Sequence, residues 1–187
     1  MGMMINRRRA YGGSKELPYD AEIEYLKGDG HCYIDTLYFP TTATEIEIKQ
    51  TNGNGFSWGV RAGHTVGVWK NTIYWYRAYR NYPQSGISVI YIGKGIVTLN
   101  GQQIQTYEPI TARMTLPIAL FCWHDNSYAQ TGNDNVTIYY FKVWEDNTLV
   151  LDLIPVRVGN VGYMYDKVSK QLFGNAGTGN FILGPDV

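Results

Sequence analysis

The stretch Tyr74-Trp75-Tyr76-Arg77-Ala78-Tyr79-Arg80-Asn81-Tyr82 concentrates more binding chemistry than any other part of the chain. Five aromatic rings are interleaved with two guanidinium groups. Flat rings stack on sugars or bases, and arginine adds hydrogen bonds. The same residue types anchor protein interfaces. On a strand, alternate rings simply point into the core. Trp75, Tyr76, Arg77, Tyr79, Arg80 and Tyr82 are therefore candidates for a glycan or protein interface, with ordinary core and surface as the competing reading.

A second cluster is Arg7-Arg8-Arg9, followed by Tyr11. In an extended arm, such a cluster docks on an acidic surface through charge-assisted bonds. Met3, Met4, Ile5 and Tyr11 supply apolar surface to offset the ordering entropy. Arg7, Arg8, Arg9 and Tyr11 are read as an anchoring arm; the competing reading is a disordered basic tail.

Catalytic chemistry is sparse. A glycosidase needs two carboxylates across a cleft, roughly 5–5.5 Å apart for retention. Glu45-Ile46-Glu47-Ile48-Lys49-Gln50 comes nearest. Lys49 and Gln50 stand where a third carboxylate would complete the glucanase pattern, and the string reads equally as an exposed strand face. His31, His64 and His124 have no nucleophile and orienting acid beside them. No catalytic residue is assigned. Two cysteines and three scattered histidines lack zinc-ligand spacing. Cys32 and Cys122 lie in strand-like segments and read as buried thiols, with a single disulfide as the alternative. No cofactor is expected, apart from calcium on loop oxygens of Asp125, Asn126, Asn133 and Asp134, which read otherwise as a solvated turn.

The elements that must position these groups are strands. The 187 residues carry 16 Lys+Arg and 16 Asp+Glu, and this balance argues against nucleic acid as a partner. With 44% hydrophobic and 17% charged residues the chain can bury a core. Sixteen tyrosines and 21 glycines suit an all-β protein with many turns. No apolar run is long enough to span a membrane. No apolar stretch follows the arginines, so no secretory signal is expected. Gly2 is not followed by Ser or Thr at position 6, as myristoylation requires.

Residues 1–20 lack periodicity and read as arm and linker. From 21 to 187 strand follows strand. Segments 21–26 and 31–38 flank a turn at Lys27-Gly28-Asp29-Gly30. Segment 44–50 alternates, with Ile46 and Ile48 on one side and Glu45, Glu47 and Lys49 on the other. Further strands fall at 55–61, 65–69, 72–79 and 87–93. Asn100-Gly101 marks a hairpin joining 95–100 to 102–107. The apolar run 117–123 reads as a strand covered on both faces. Hairpins join 136–144 to 148–156 and 162–166 to 171–175. No segment shows a helical stripe. The expected fold is all-β, an antiparallel two-sheet β-sandwich or jelly roll with an extended N-terminal arm.

The order of motifs is familiar. IEYLKGDGHCYIDT (23–36) resembles the opening of laminin G-like, concanavalin A-like β-sandwich domains. WGVR (58–61), VTLNG (97–101), PIALFCW (117–123), YYFKVWEDNTLVLDLIPV (139–156) and GYMYDKVSKQLFGNAGTGNF (162–181) follow in the same order. The start INRRR…YGG…LPYDAEIEYL is similar to that of virion-associated proteins of tailed phages of gut bacteria. The resemblance implies a non-enzymatic virion structural protein, a head fibre or capsid decoration. It would be made in the host cytoplasm and attached through its arm to capsid or tail proteins. It would be a homo-oligomer, a trimer by analogy, with weak glycan adhesion made useful by avidity. The alternative is a carbohydrate-binding module of a bacterial surface or secreted protein. Fold alone does not decide between them.

Overall fold

The computed structural model describes residues 17–51, 53–83, 86–108, 110–125, 128–130 and 134–187. The arm candidates Arg7, Arg8, Arg9 and Tyr11 lie outside the described residues. The first strands are β1 (Ala21–Glu22), β2 (Leu26–Asp29), β3 (Ile34–Asp35), β4 (Thr44–Thr51), β5 (Phe56–Arg61), β6 (Thr65–Trp69) and β7 (Thr72–Tyr76). Next come β8 (Ala78–Asn81), β9 (Ile87–Gly93), β10 (Ile96–Leu99), β11 (Gln102–Thr106), β12 (Ala119–Leu120), β13 (Trp123–Asp125) and β14 (Tyr128–Gln130). The last are β15 (Asp134–Glu145), β16 (Thr148–Val158), β17 (Val161–Asp166), β18 (Leu172–Phe173) and β19 (Ile182–Leu183).

They form two sheets, and no helix occurs among the described residues. The larger runs β11-β10-β9-β4-β15-β16-β17-β18, with β1 on β16 and β2 on both β15 and β19. The smaller runs β14-β13-β5-β6-β7-β8, with β12 joining β3 to β5. Among the described residues all strand pairings are antiparallel except that of β13 with β5. The chain is an all-β sandwich.

Period-two alternation builds the core. Ile46 and Ile48 of β4, Ile90 and Ile92 of β9, and Phe141 and Val143 of β15 are all fully buried. They meet Trp58, Val60, Val66 and Val68 of the smaller sheet. The Trp58 and Phe141 rings cross edge-to-face at 5.7 Å, joining the sheets through two of the largest fully buried side chains.

Three segments differ from the sequence reading. Residues 26–29 form β2 rather than a turn, because β15 and β19, distant in sequence, pair with them. The strand expected over 72–79 is a hairpin, with Trp75 opposite Ala78 and Tyr76 at φ 60°. The run 117–123 breaks at Phe121, whose φ is 65°. Only Ala119–Leu120 joins the ladder before it, and Trp123 opens a new strand after it.

The two ends of the sandwich lie side by side. Ile23 bridges Asp186, and the Val187 amide donates to the Glu22 carbonyl. The Arg157 guanidinium grips the Asp186 carboxylate through two bonds of 2.7 and 2.6 Å. The Asp20 carboxylate accepts from the Gly159 amide at 2.6 Å. The sandwich is thus closed from Asp20 onward, at the β16–β17 hairpin end.

Candidate functional site

At the other end of β16 the larger sheet carries a cleft. Two hairpin turns frame it, Lys94-Gly95 between β9 and β10, and Asp146-Asn147 between β15 and β16. All four residues have left-handed φ, between 47° and 78°, as a two-residue type I′ loop demands. Two adjoining hollows of about 310 and 340 Å³ share Glu45, Lys94 and Asn147. Trp75, Tyr107 and Ile110 back the first, and Glu47, Tyr91 and Trp144 line the second.

The polar groups follow from β4's alternation. With Ile46 and Ile48 buried, Glu45 and Glu47 face outward. Register sets Trp144 beside Glu45, and Tyr91 and Lys142 beside Glu47. The sequence reads Glu45 as exposed, yet its side chain is only 11% exposed. The Tyr91 hydroxyl donates to it, and the Lys94 ammonium stands 3.5 Å away. Glu47 accepts from the Tyr140 hydroxyl at 3.0 Å. Burial first, then the adjacent carboxylate, pushes the Tyr91 phenol upward and the Tyr140 phenol up to about 12. Both phenols therefore stay protonated donors at neutral pH.

Acceptors, an ammonium donor and aromatic walls converge on one hollow. This is the chemistry of a site for a polyhydroxylated ligand. The Tyr91 bond also stabilises the fold, because losing it leaves a nearly buried carboxylate short of a donor. Tyr91→Phe should lower unfolding free energy by about 2 kcal/mol in a urea titration. An unchanged midpoint would show that solvent replaces the phenol.

The interleaved aromatic stretch is divided by the β7–β8 hairpin. Trp75 and Tyr82 are 3% and 4% exposed and belong to the core. Tyr76 is half-buried, its hydroxyl 2.7 Å from Thr111 Oγ1 and its ring 4.0 Å from His64. Arg77, Tyr79 and Arg80 are exposed, and the Arg77 guanidinium lies 5.4 Å from the Tyr76 ring centre. The six residues thus do not form one surface, although Trp75 backs the cleft. No Gly, Asn or Pro marks the reversal, so the sequence alone hides it.

Of the calcium candidates, Asn126 and Asn133 lie outside the described residues. Asp134 opens β15 opposite Asp29, and Asp125 pairs with Arg61 at 2.5 Å. No group of three His, Cys, Asp or Glu side chains is placed to hold a metal among the described residues. Cys32 and Cys122 are free and buried, and burial pushes the Cys32 thiol up to about 12. His124 Nδ1 lies 2.9 Å from the Pro117 carbonyl oxygen.

Sequence reasoning passed over Tyr91, Lys94, Tyr107, Trp144 and Asn147. Lys94-Gly95 and Asp146-Asn147 were the available signal, since adjacent hairpin turns gather strand ends. Comparison with protein-family models, with curated proteins and with solved structures finds no significant match.

Proposed function

We propose that the chain is a non-enzymatic virion structural protein of tailed-phage type, a head fibre or capsid decoration. In this reading residues 1–20 hold a laminin G-like, concanavalin A-like jelly roll to a capsid or tail protein. The cleft is its weak glycan-binding site, and oligomerisation multiplies that weak affinity. The motif order from IEYL to GNF supports the family assignment. The paired phenols on Glu45 and Glu47 support a binding role for these carboxylates, because each is already held by a donor.

One observation carries the reading: the two ends of the sandwich are different. Residue 21 enters at Arg157, and the cleft lies beside Leu149. At the usual strand rise these positions are about 27 Å apart along β16. An anchor at one end therefore turns the cleft away from the surface that carries it.

The test is deletion of residues 1–16, which spares Tyr19 and Asp20. The variant should keep its circular dichroism and cooperative melting, yet vanish from density-gradient fractions of particles that contain the full chain. Co-banding of the variant would overturn the anchoring role. A full chain absent from particles but recovered in envelope or medium would replace this reading with a bacterial carbohydrate-binding module.

A further inference from the structure

The cleft is unevenly charged. Its two hollows are lined by the carboxylates of Glu45, Glu47 and Asp146 and by one ammonium, that of Lys94. Lys94 stands 3.5 Å from Glu45, so that pair is matched. Glu47 and Asp146 make no ion pair among the described residues. Lys142 is opposite Glu47 in the ladder, but its ammonium lies over the Tyr140 ring, 5.3 Å from the centre, and lines neither hollow.

The two unmatched carboxylates are shared out, one to each hollow. Asp146 lines the first together with Tyr107, and Glu47 lines the second together with Trp144. Each hollow thus combines aromatic surface with a carboxylate that lacks a cation, and the Glu45–Lys94 pair borders both. At about 310 and 340 Å³, each reaches the lower end of the size range for small-ligand sites. Acceptors are in surplus. The Tyr140 hydroxyl donates to Glu47 Oε1, while Glu47 Oε2 and both Asp146 oxygens accept no hydrogen bond among the described residues. One donor is also unmet. Trp75, 3% exposed at the back of the first hollow, has a buried indole N–H with no hydrogen-bond partner among the described residues.

We propose that the cleft selects a chain of amino sugars, with consecutive rings in the two hollows and their ammonium groups at Asp146 and Glu47. This inference rests on the reading of the cleft as a glycan site and adds the chemistry of the sugar. Hydroxyls alone would suit either hollow, but a carboxylate without a cation gains most from a charged donor. An ammonium brings that charge together with three N–H donors. The sugar ring offers a face to the aromatic wall, and a hydroxyl offers the Trp75 N–H an acceptor.

The test is isothermal titration calorimetry of the full chain with three β-linked hexamers, of glucosamine, N-acetylglucosamine and glucose. Acetylation removes the charge and keeps the ring. The glucosamine hexamer should bind about tenfold more tightly than the other two, and this preference should shrink as salt is raised. Glu47→Gln and Asp146→Asn should each cut the preference to about threefold, and the double variant should abolish it. Both substitutions keep the side-chain shape, and asparagine suits the left-handed turn position of Asp146, so these variants should fold. Glu24→Gln removes an exposed carboxylate at the end that holds Asp186 and should keep the preference. If the three hexamers bind alike, or the double variant keeps the preference, this inference is overturned and the glycan reading stands. If no hexamer binds, the glycan reading falls with it. Spermidine supplies the last arm. Displacement of the glucosamine hexamer by spermidine at equal charge would show a site that takes cations without reading the ring, which also overturns the inference.

Discussion

Asp166→Ala should destabilise the sandwich by about 4 kcal/mol, far more than an ordinary polar substitution. Asp166 is 1% exposed, at the end of β17. Its carboxylate accepts three backbone amides, from Asp152 at 2.8 Å, Val168 at 3.0 Å and Ser169 at 2.9 Å. The first ties β17 to β16, and the others fold the turn into β18. Alanine strands all three donors. Burial by itself raises the pKa of this carboxyl, but its hydrogen bonds outweigh burial and hold it below the usual carboxylate value. The sign of the linkage follows. A depressed pKa adds stability above the unfolded value near 3.9, and that stability is lost as pH falls through the folded value. Asp166→Asn should therefore be less stable than the native chain at neutral pH and fall less steeply below about pH 4. Urea midpoints measured from pH 7 to pH 2 would show it. Parallel curves for the two proteins would mean the carboxylate is not held as described.

Gly67→Ala should be of similar size, for a steric reason. Gly67 and Gly59 face each other across β6 and β5. A methyl at Gly67 would lie 2.2 Å from the Trp58 carbonyl oxygen and 2.6 Å from the Gly59 Cα. Both obstacles are backbone, so no rotamer change relieves them. The residue also has φ 150°, which L side chains rarely adopt. Strain and overpacking together come to about 4 kcal/mol, against a typical domain stability of roughly 5–15 kcal/mol. Gly101→Ala is the control. Its φ is 79°, but nothing lies within 4 Å of the added methyl. It should cost about 1 kcal/mol. Thermal melts of the two variants separate the effects, and equal melting points would remove the steric argument.

Local pattern carried most of the fold into view. Alternation in 44–50 assigned the inward and outward faces of β4, and Asn100-Gly101 placed the β10–β11 turn between Leu99 and Gln102. What stayed hidden depends on partners distant in sequence. Lys27-Gly28-Asp29-Gly30 has turn composition, and only β15 and β19 make its first three residues a strand. The Asp29 carboxylate reinforces this by accepting the amides of His31 and Asn180, 151 residues away. The cleft was hidden for the same reason. Glu45, Tyr91, Lys94 and Trp144 meet only because three strands end together. The contacts of Phe56 with Trp69 and Trp123, and of Trp123 with Tyr74, were hidden because these rings come from four different strands.

The closeness of Glu22 and Val187 has a practical meaning. A unit whose chain enters and leaves at one point behaves like a plug with a single socket. It can be spliced into a loop of a host protein with short connectors at both seams, and the Arg157–Asp186 clasp keeps those seams together. A tag fused after Val187 lands on the socket side, where it crowds any attachment made through the first residues. The same tag placed in the Asp146-Asn147 turn would leave the socket clear and obstruct the cleft instead.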